Sequence, residues 1–319
     1  MNNESSSNDK QDSQALLNTM ILEYMREQRR KRRWRWLFRI FILLFIIFLF
    51  FKINQINMDD KTATILKPHA GLIDLTGTIF EGRSASSDNL VKALDNAYQN
   101  KNMKGLILRI NSPGGSPVQA EYMYNSIRYY QQKYPDIKIY AVCVDACLSA
   151  GYYVASAADE IYASPVSLVG SIGVVYNGFG FVDTIDKLGM TRRLQTAGMN
   201  KAFLDPFSPE KPKDKQYLQT MLDLIHQQFI SRVKEGRKSR LHIDSDTFSG
   251  LFWTGEQSLG QGLIDGFGSS GDVARVKINV DDIIDYTYKP NLFERFAKNV
   301  GTAMANELPS ALGIKQGIS

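Results

Sequence analysis

Cys147 to Asp159 reads C-L-S-A-G-Y-Y-V-A-S-A-A-D, placing Ser149 between an apolar run and a string of small residues at helical spacing. A serine at a strand-to-helix turn is held rigidly and exposed, the arrangement an acyl-transferring hydroxyl requires. Upstream, Asn111 to Ser116 reads N-S-P-G-G-S. A glycine turn of this kind offers backbone N–H groups to an oxyanion. Either segment alone has a bland reading, a tight turn or a close-packed helix; in this order, each after an apolar strand, they point to nucleophilic catalysis.

Around these segments short apolar runs alternate with helical stripes. Strands are expected at Gly71–Leu75, Gly105–Ile110, Lys138–Val144, Ile161–Ala163 and Gly170–Val175. Helices are expected around 90–98 and over Val118–Tyr130, Ala150–Ala157 and Lys213–Lys234. This alternation predicts an α/β body. The helix after the glycine turn has a readable start: Ser116 as cap, Pro117 at the first helical position and Gln119 to complete a capping box. That start places Gly114 and Gly115 at a helix N-terminus, where unpaired N–H groups favour a negative oxygen.

The chain has 319 residues and a formal charge of +5. Residues 1–53 carry ten Lys+Arg against five Asp+Glu, leaving 28 of each in the remainder. The body is neutral, which removes the main support for a nucleic-acid partner. Trp36 to Ile53 is almost wholly apolar and would extend about 27 Å as a helix, so it is expected to anchor the chain in a membrane. The Arg-rich flank from Arg26 to Arg39, against Lys52, Asp59 and Asp60 on the other side, puts the N-terminus in the cytoplasm by the positive-inside rule. The body would then be periplasmic or otherwise extracytoplasmic. The expected organisation is a basic amphipathic cytoplasmic segment (1–35), the anchor (36–53), a linker (54–69), a catalytic domain (70–290) and a tail (291–319). Cys143 and Cys147 fit no zinc pattern and are expected to be buried small residues beneath the Ser149 turn.

A serine nucleophile needs a base. None of the three histidines, His69, His226 and His242, lies in a segment shaped like a catalytic loop. A lysine with a lowered pKa can take the part. Lys187, Lys201, Lys211, Lys213 and Lys215 all follow Ser149, and composition does not choose among them.

Four ordered motifs, N-S-P-G-G at 111–115, L-S-A-G-Y-Y-V-A-S-A-A-D at 148–159, Y-A-S-P-V-S-L-V-G-S-I-G-V at 162–174 and W-T-G-E-Q-S-L-G-Q-G-L-I-D at 253–265, resemble peptidase family S49. The likeness covers roughly residues 70–275 and is to the short, single-domain signal peptide peptidase A type. It implies a Clp/crotonase-like core of repeated ββα units. By the same resemblance Ser149 is the nucleophile, Lys201 the general base and Ser171 the group that orients the lysine. Gly114 and Ala150 supply the oxyanion hole, Ala150 standing where the family commonly has glycine. Gly115, Ser116, Ile172 and Gly173 bind substrate as an added strand. Neither metal nor cofactor is expected. The resemblance further implies a homo-oligomeric ring at the membrane, in which one subunit's lysine meets its neighbour's serine, acting on apolar peptides such as cleaved signal-peptide remnants. Two other functions compete: a catalytically silent membrane scaffold, and a crotonase-like acyl-CoA enzyme that uses similar backbone donors.

Overall fold

The computed structural model describes residues 33–34, 36–49 and 66–289. It divides into two units, Met1–Thr64 and Ile65–Ser319. In the first, residues 36–49 are helical with exposed side chains. Among the described residues no helix is long and apolar enough to cross a membrane. The expected anchor runs on to Ile53, and its last residues lie outside the described ones, as do almost all of the cytoplasmic segment, most of the linker and the tail.

The second unit is built on β1 (His69–Thr76), β2 (Met103–Ser112) and β3 (Ile139–Leu148). Their sequences, H-A-G-L-I-D-L-T, M-K-G-L-I-L-R-I-N-S and I-Y-A-V-C-V-D-A-C-L, are nearly continuous apolar runs. Such runs suit parallel strands covered on both faces, and these three pair in parallel. Alternate residues serve opposite faces. Ile73, Leu75, Leu106, Leu108, Ile110 and Cys143 enter the larger core cluster, while Leu72, Ile107, Tyr140 and Val142 enter a smaller one on the other side.

The helices α1 (Ser87–Tyr98), α2 (Pro117–Lys133) and α3 (Ala150–Ala155) follow β1, β2 and β3 and bury Leu90, Leu94, Met123, Ile127 and Tyr152. Then come β4 (Glu160–Ala163), β5 (Leu168–Gly170), α4 (Val182–Lys187), α5 (Pro212–Arg237), β6 (Phe252–Thr254), α6 (Gly255–Gly260), β7 (Gly266–Phe267), α7 (Ser270–Val273) and β8 (Ile283–Asp285). The sheet runs β6-β5-β3-β2-β1-β8, with β4 beside β3 and β7 beside β4, and among the described residues only β5–β6 is antiparallel. A mixed α/β architecture rich in parallel strands is therefore present. The expected strand Gly170–Val175 is corrected: it ends at Gly170, because Gly170 and Ser171 both take positive φ (107° and 53°) and turn the chain out of the sheet.

The register between β2 and β3 carries a consequence for the site. Ile110 pairs with Cys143 and Ser112 with Cys147, so β3 spends two more residues than β2 between the same rungs. Because the extra residues number two, alternation stays in phase and Cys147 lies on the face of Cys143. Both cysteines are free and buried, and burial pushes the Cys147 thiol well up.

Helix α5 is fastened over α3 at one end. At Gly236 an added Cβ would lie 1.8 Å from the Ser156 carbonyl oxygen, so only glycine permits the crossing. One residue on, the fully buried Arg237 donates to Asp265 (2.7 and 3.0 Å) and to the Gly262 carbonyl (2.9 Å). Asp265 also accepts from the Ile161 N–H at 2.7 Å. Burial opposes its charge, but the Arg237 guanidinium wins and holds the carboxyl below its ordinary value. Arg237→Leu is expected to cost about 2 kcal/mol or more by urea unfolding of the full-length protein, since it takes the donor from the buried Gly262 carbonyl and leaves Asp265 to Arg240 (3.1 Å) and the Ile161 N–H. Because the folded-state pKa of Asp265 is depressed, its contribution is present at neutral pH and lost as pH falls through the ordinary carboxylate range and below. The wild type is therefore expected to lose more stability than Asp265→Asn on acidification from pH 6 to pH 3, a range set by ordinary carboxyl titration at about pH 4.

Candidate active site

Ser149 is the N-cap of α3, at φ 50° and ψ −120°. A non-glycine residue there bears backbone strain of about 1–3 kcal/mol, a feature of sharp strand-to-helix turns that present a nucleophile. The turn is held from both sides. The Ser149 N–H donates to the Gly170 carbonyl at 2.8 Å, and the Ser149 carbonyl accepts from the Tyr153 N–H at 2.9 Å. Ala150 is the first helical residue, so its N–H has no intrahelical partner.

The glycine turn faces this serine closely. A Cβ added to Gly114 would sit 2.8 Å from Ser149 Cβ and 3.2 Å from its Oγ. The turn is fixed by an isolated parallel bridge from Ile79 to Gly115. The Ile79 N–H donates to the Gly114 carbonyl at 2.9 Å, and the Ser116 N–H to the Ile79 carbonyl at 2.8 Å. Gly115 packs so tightly here that a Cβ would fall 2.0 Å from the Ile79 oxygen.

This geometry divides the expected oxyanion donors. The Gly114 N–H donates to Ser112 Oγ at 3.1 Å. In the bridge, the flanking residues pair with Ile79, so the N–H and carbonyl of Gly115 point away from it. Gly115 lines a cavity of about 710 Å³ together with Ser149, Ala150, Tyr153, Ser171 and Gly173. Ser116 behaves as the sequence predicts, its Oγ accepting from the Gln119 N–H at 3.4 Å. Gln119 does not close a capping box; its Oε1 accepts from the Ser87 N–H at 2.8 Å, tying α2 to the start of α1.

Of the other expected substrate-binding residues, Gly173 lines the cavity, whereas the Ile172 side chain is fully buried in the core. Ser171 lines the cavity at φ 53°, its N–H donating to the Leu251 carbonyl at 2.8 Å. Lys201 is absent from the cavity. It is exposed on a turn in a long excursion, residues 174–211, that leaves the body after Gly173. Phe179, Phe181 and Phe207 meet in series there as tilted ring pairs, and Arg192 pairs with Asp205 and lies over the Phe207 ring. Met199 and Val175 remain 92% and 86% exposed, so most of the excursion's apolar surface is uncovered.

The same cavity is also lined by Ile225, His226 and Phe229 of α5. Phe229 packs against Tyr153 with ring centroids 4.8 Å apart. Tyr153 in turn donates to Glu121, which also receives the Arg232 guanidinium. Burial would raise the Glu121 carboxyl, but Arg232 and Tyr153 hold it down, while burial and the Glu121 charge push the Tyr153 phenol up. Tyr153 therefore stays a neutral donor. His226, Phe229 and the Glu121–Arg232 pair were not found by sequence reasoning. Their α5 members occur at helical spacing indistinguishable from ordinary core periodicity.

The model of peptidase family S49 matches residues 131–281. A putative protease of Synechocystis sp. is 30% identical over 200 residues, which is 63% of this chain and 70% of that protein. A putative signal peptide peptidase SppA of Enterococcus faecium is 27% identical over 204 residues, covering 63% of this chain and 59% of that protein. A protein named Na(+)/H(+) antiporter NhaA from Brucella melitensis biotype 1 is 43% identical over 202 residues, 62% of this chain. The chain spans only 27% of the length of that antiporter-named relative. With these motifs, this site and these relatives, the chain belongs to peptidase family S49.

Proposed function

We propose that this protein is a membrane-anchored serine endopeptidase acting through a Ser-Lys dyad. The observation that carries the reading is the strained Ser149 turn packed against the Gly114–Gly115 turn over a cavity. Ser149 Oγ attacks the scissile carbonyl, and the acyl-enzyme then forms by loss of the amine. The oxyanion is received by the N–H groups of Gly115 and Ala150, since that of Gly114 is engaged by Ser112. Lys201 takes the hydroxyl proton, passes it to the leaving amine and later activates water, with Ser171 orienting its amine.

The exposed position of Lys201 and the uncovered apolar surface around it fit a base supplied to another subunit. A homo-oligomer, in which this excursion covers a neighbour and delivers Lys201 to the neighbour's Ser149, completes the site. The Clp/crotonase-like arrangement of the core suits such a ring. Substrate lies extended along Gly115 and Gly173, and the lining of Ala120, Val174, Ile225 and Phe229 favours apolar side chains, as in signal-peptide remnants or membrane-associated proteins. In the proposed topology residues 36–53 anchor the chain, residues 1–35 are cytoplasmic and the peptidase domain, 70–290, stands outside the cytoplasm. The same separation of Lys201 from Ser149 supports a second reading, a silent scaffold whose dyad never assembles.

Full-length protein hydrolysing apolar fluorogenic peptides separates these readings. Ser149→Ala and Lys201→Ala are each expected to lower kcat at least about a thousandfold. Mixed before assembly, the two inactive variants are expected to regain hydrolysis, because some interfaces then join an intact Ser149 to an intact Lys201. Full activity in Lys201→Ala removes the base assignment, and an assembled, inactive wild type favours the scaffold.

A further inference from the structure

Four consecutive residues, Gly170 to Gly173, connect the sheet to the cavity rim through two positive-φ positions. A segment in that conformation persists only where its surroundings hold it. Its first three carbonyls each have a partner. Gly170 accepts from the Ser149 N–H (2.8 Å) and Ser171 from the Gly173 N–H (3.0 Å). Ile172 accepts from His226 Nε2 at 3.0 Å. The first two partners belong to the turn or to the nucleophile itself. The third is a side chain of α5, 54 residues further along the chain.

We infer that His226 is a positioning residue, holding the Ser171–Gly173 rim, and through it the Ser149 turn, in the reactive conformation. A carbonyl oxygen can only accept, so Nε2 carries the hydrogen. The mechanical link is short. Ile172 is one residue from Ser171 and two from Gly170, whose carbonyl fixes the Ser149 N–H. Helix α5 is itself anchored by Arg237 and Gly236, which gives His226 a fixed base from which to act.

The bond also limits how substrate is read. With one lone pair of the Ile172 carbonyl taken by His226 and its side chain in the core, an incoming strand competes for that carbonyl and is expected to pair first with its neighbours along the rim. The catalytic consequence rests on the peptidase reading above; the positioning itself does not.

The test compares His226→Leu, which removes the donor, with His226→Gln, whose Nε2 amide can replace it. Both are made in the full-length chain, with two measurements. Amide hydrogen exchange across residues 169–175 reads the rim directly, and peptide hydrolysis reads the consequence. In His226→Leu, exchange is expected to rise at least about tenfold and kcat to fall about tenfold with KM within about threefold, while His226→Gln recovers most of both. Unchanged exchange in His226→Leu overturns the inference whether or not the protein cleaves peptides. So does a Gln variant that behaves like Leu. Faster exchange with unchanged kcat overturns the link to Ser149. Exchange that follows expectation in a wild type that cleaves no peptide leaves the positioning in place and removes the peptidase reading.

Discussion

The hydrogen bond from the Ser149 N–H to the Gly170 carbonyl joins two strained turns that neither could hold alone. Ser149 sits at φ 50° where β3 becomes α3, and Gly170–Ser171 leave β5 at positive φ in the adjacent strand. Each conformation costs free energy, and each is fixed by a partner across the β3–β5 ladder. The parallel sheet makes this juxtaposition, because it brings the C-terminal ends of β2, β3 and β5 to one edge. Ligand sites of α/β sheets lie at such ends. The glycine turn after β2 arrives at the same edge and is pinned by Ile79. Core packing below and turn geometry above are thus one problem with one solution.

Much of this was legible in the residues. Apolar runs marked β1 to β4, and S-P-G-G-S followed by helical spacing marked both the turn and the start of α2. The Ser149 turn could be read because small residues on one side and an apolar strand on the other leave few alternatives. Illegible features depended on partners distant in sequence. The bridge from Ile79 that pins the glycine turn at Gly115 joins residues 36 positions apart. The end of β5 at Gly170 depends on positive φ at Ser171, which a serine does not advertise. His226 looked unremarkable because its partner is a backbone carbonyl 54 residues away.

Lys201 shows a different limit. Its role came from resemblance, and among the described residues it is exposed, on an excursion most of whose large apolar side chains are exposed as well. A base supplied by a neighbour would explain both facts by one physical cause: the excursion folds on itself through Phe179, Phe181 and Phe207 but buries too little to be complete. Activity would then depend on assembly, and a dispersed subunit would carry a nucleophile without its base.

The central claim, that the strained turn makes Ser149 the nucleophile, is tested most directly by covalent labelling. The full-length assembled protein would be treated with a fluorophosphonate and the modified residue located by peptide mass spectrometry. The account predicts a single phosphonyl adduct, on Ser149, with Ser112, Ser116 and Ser171 unmodified. An adduct on any of those three, or hydrolysis of peptides that continues after Ser149 is fully modified, would contradict it.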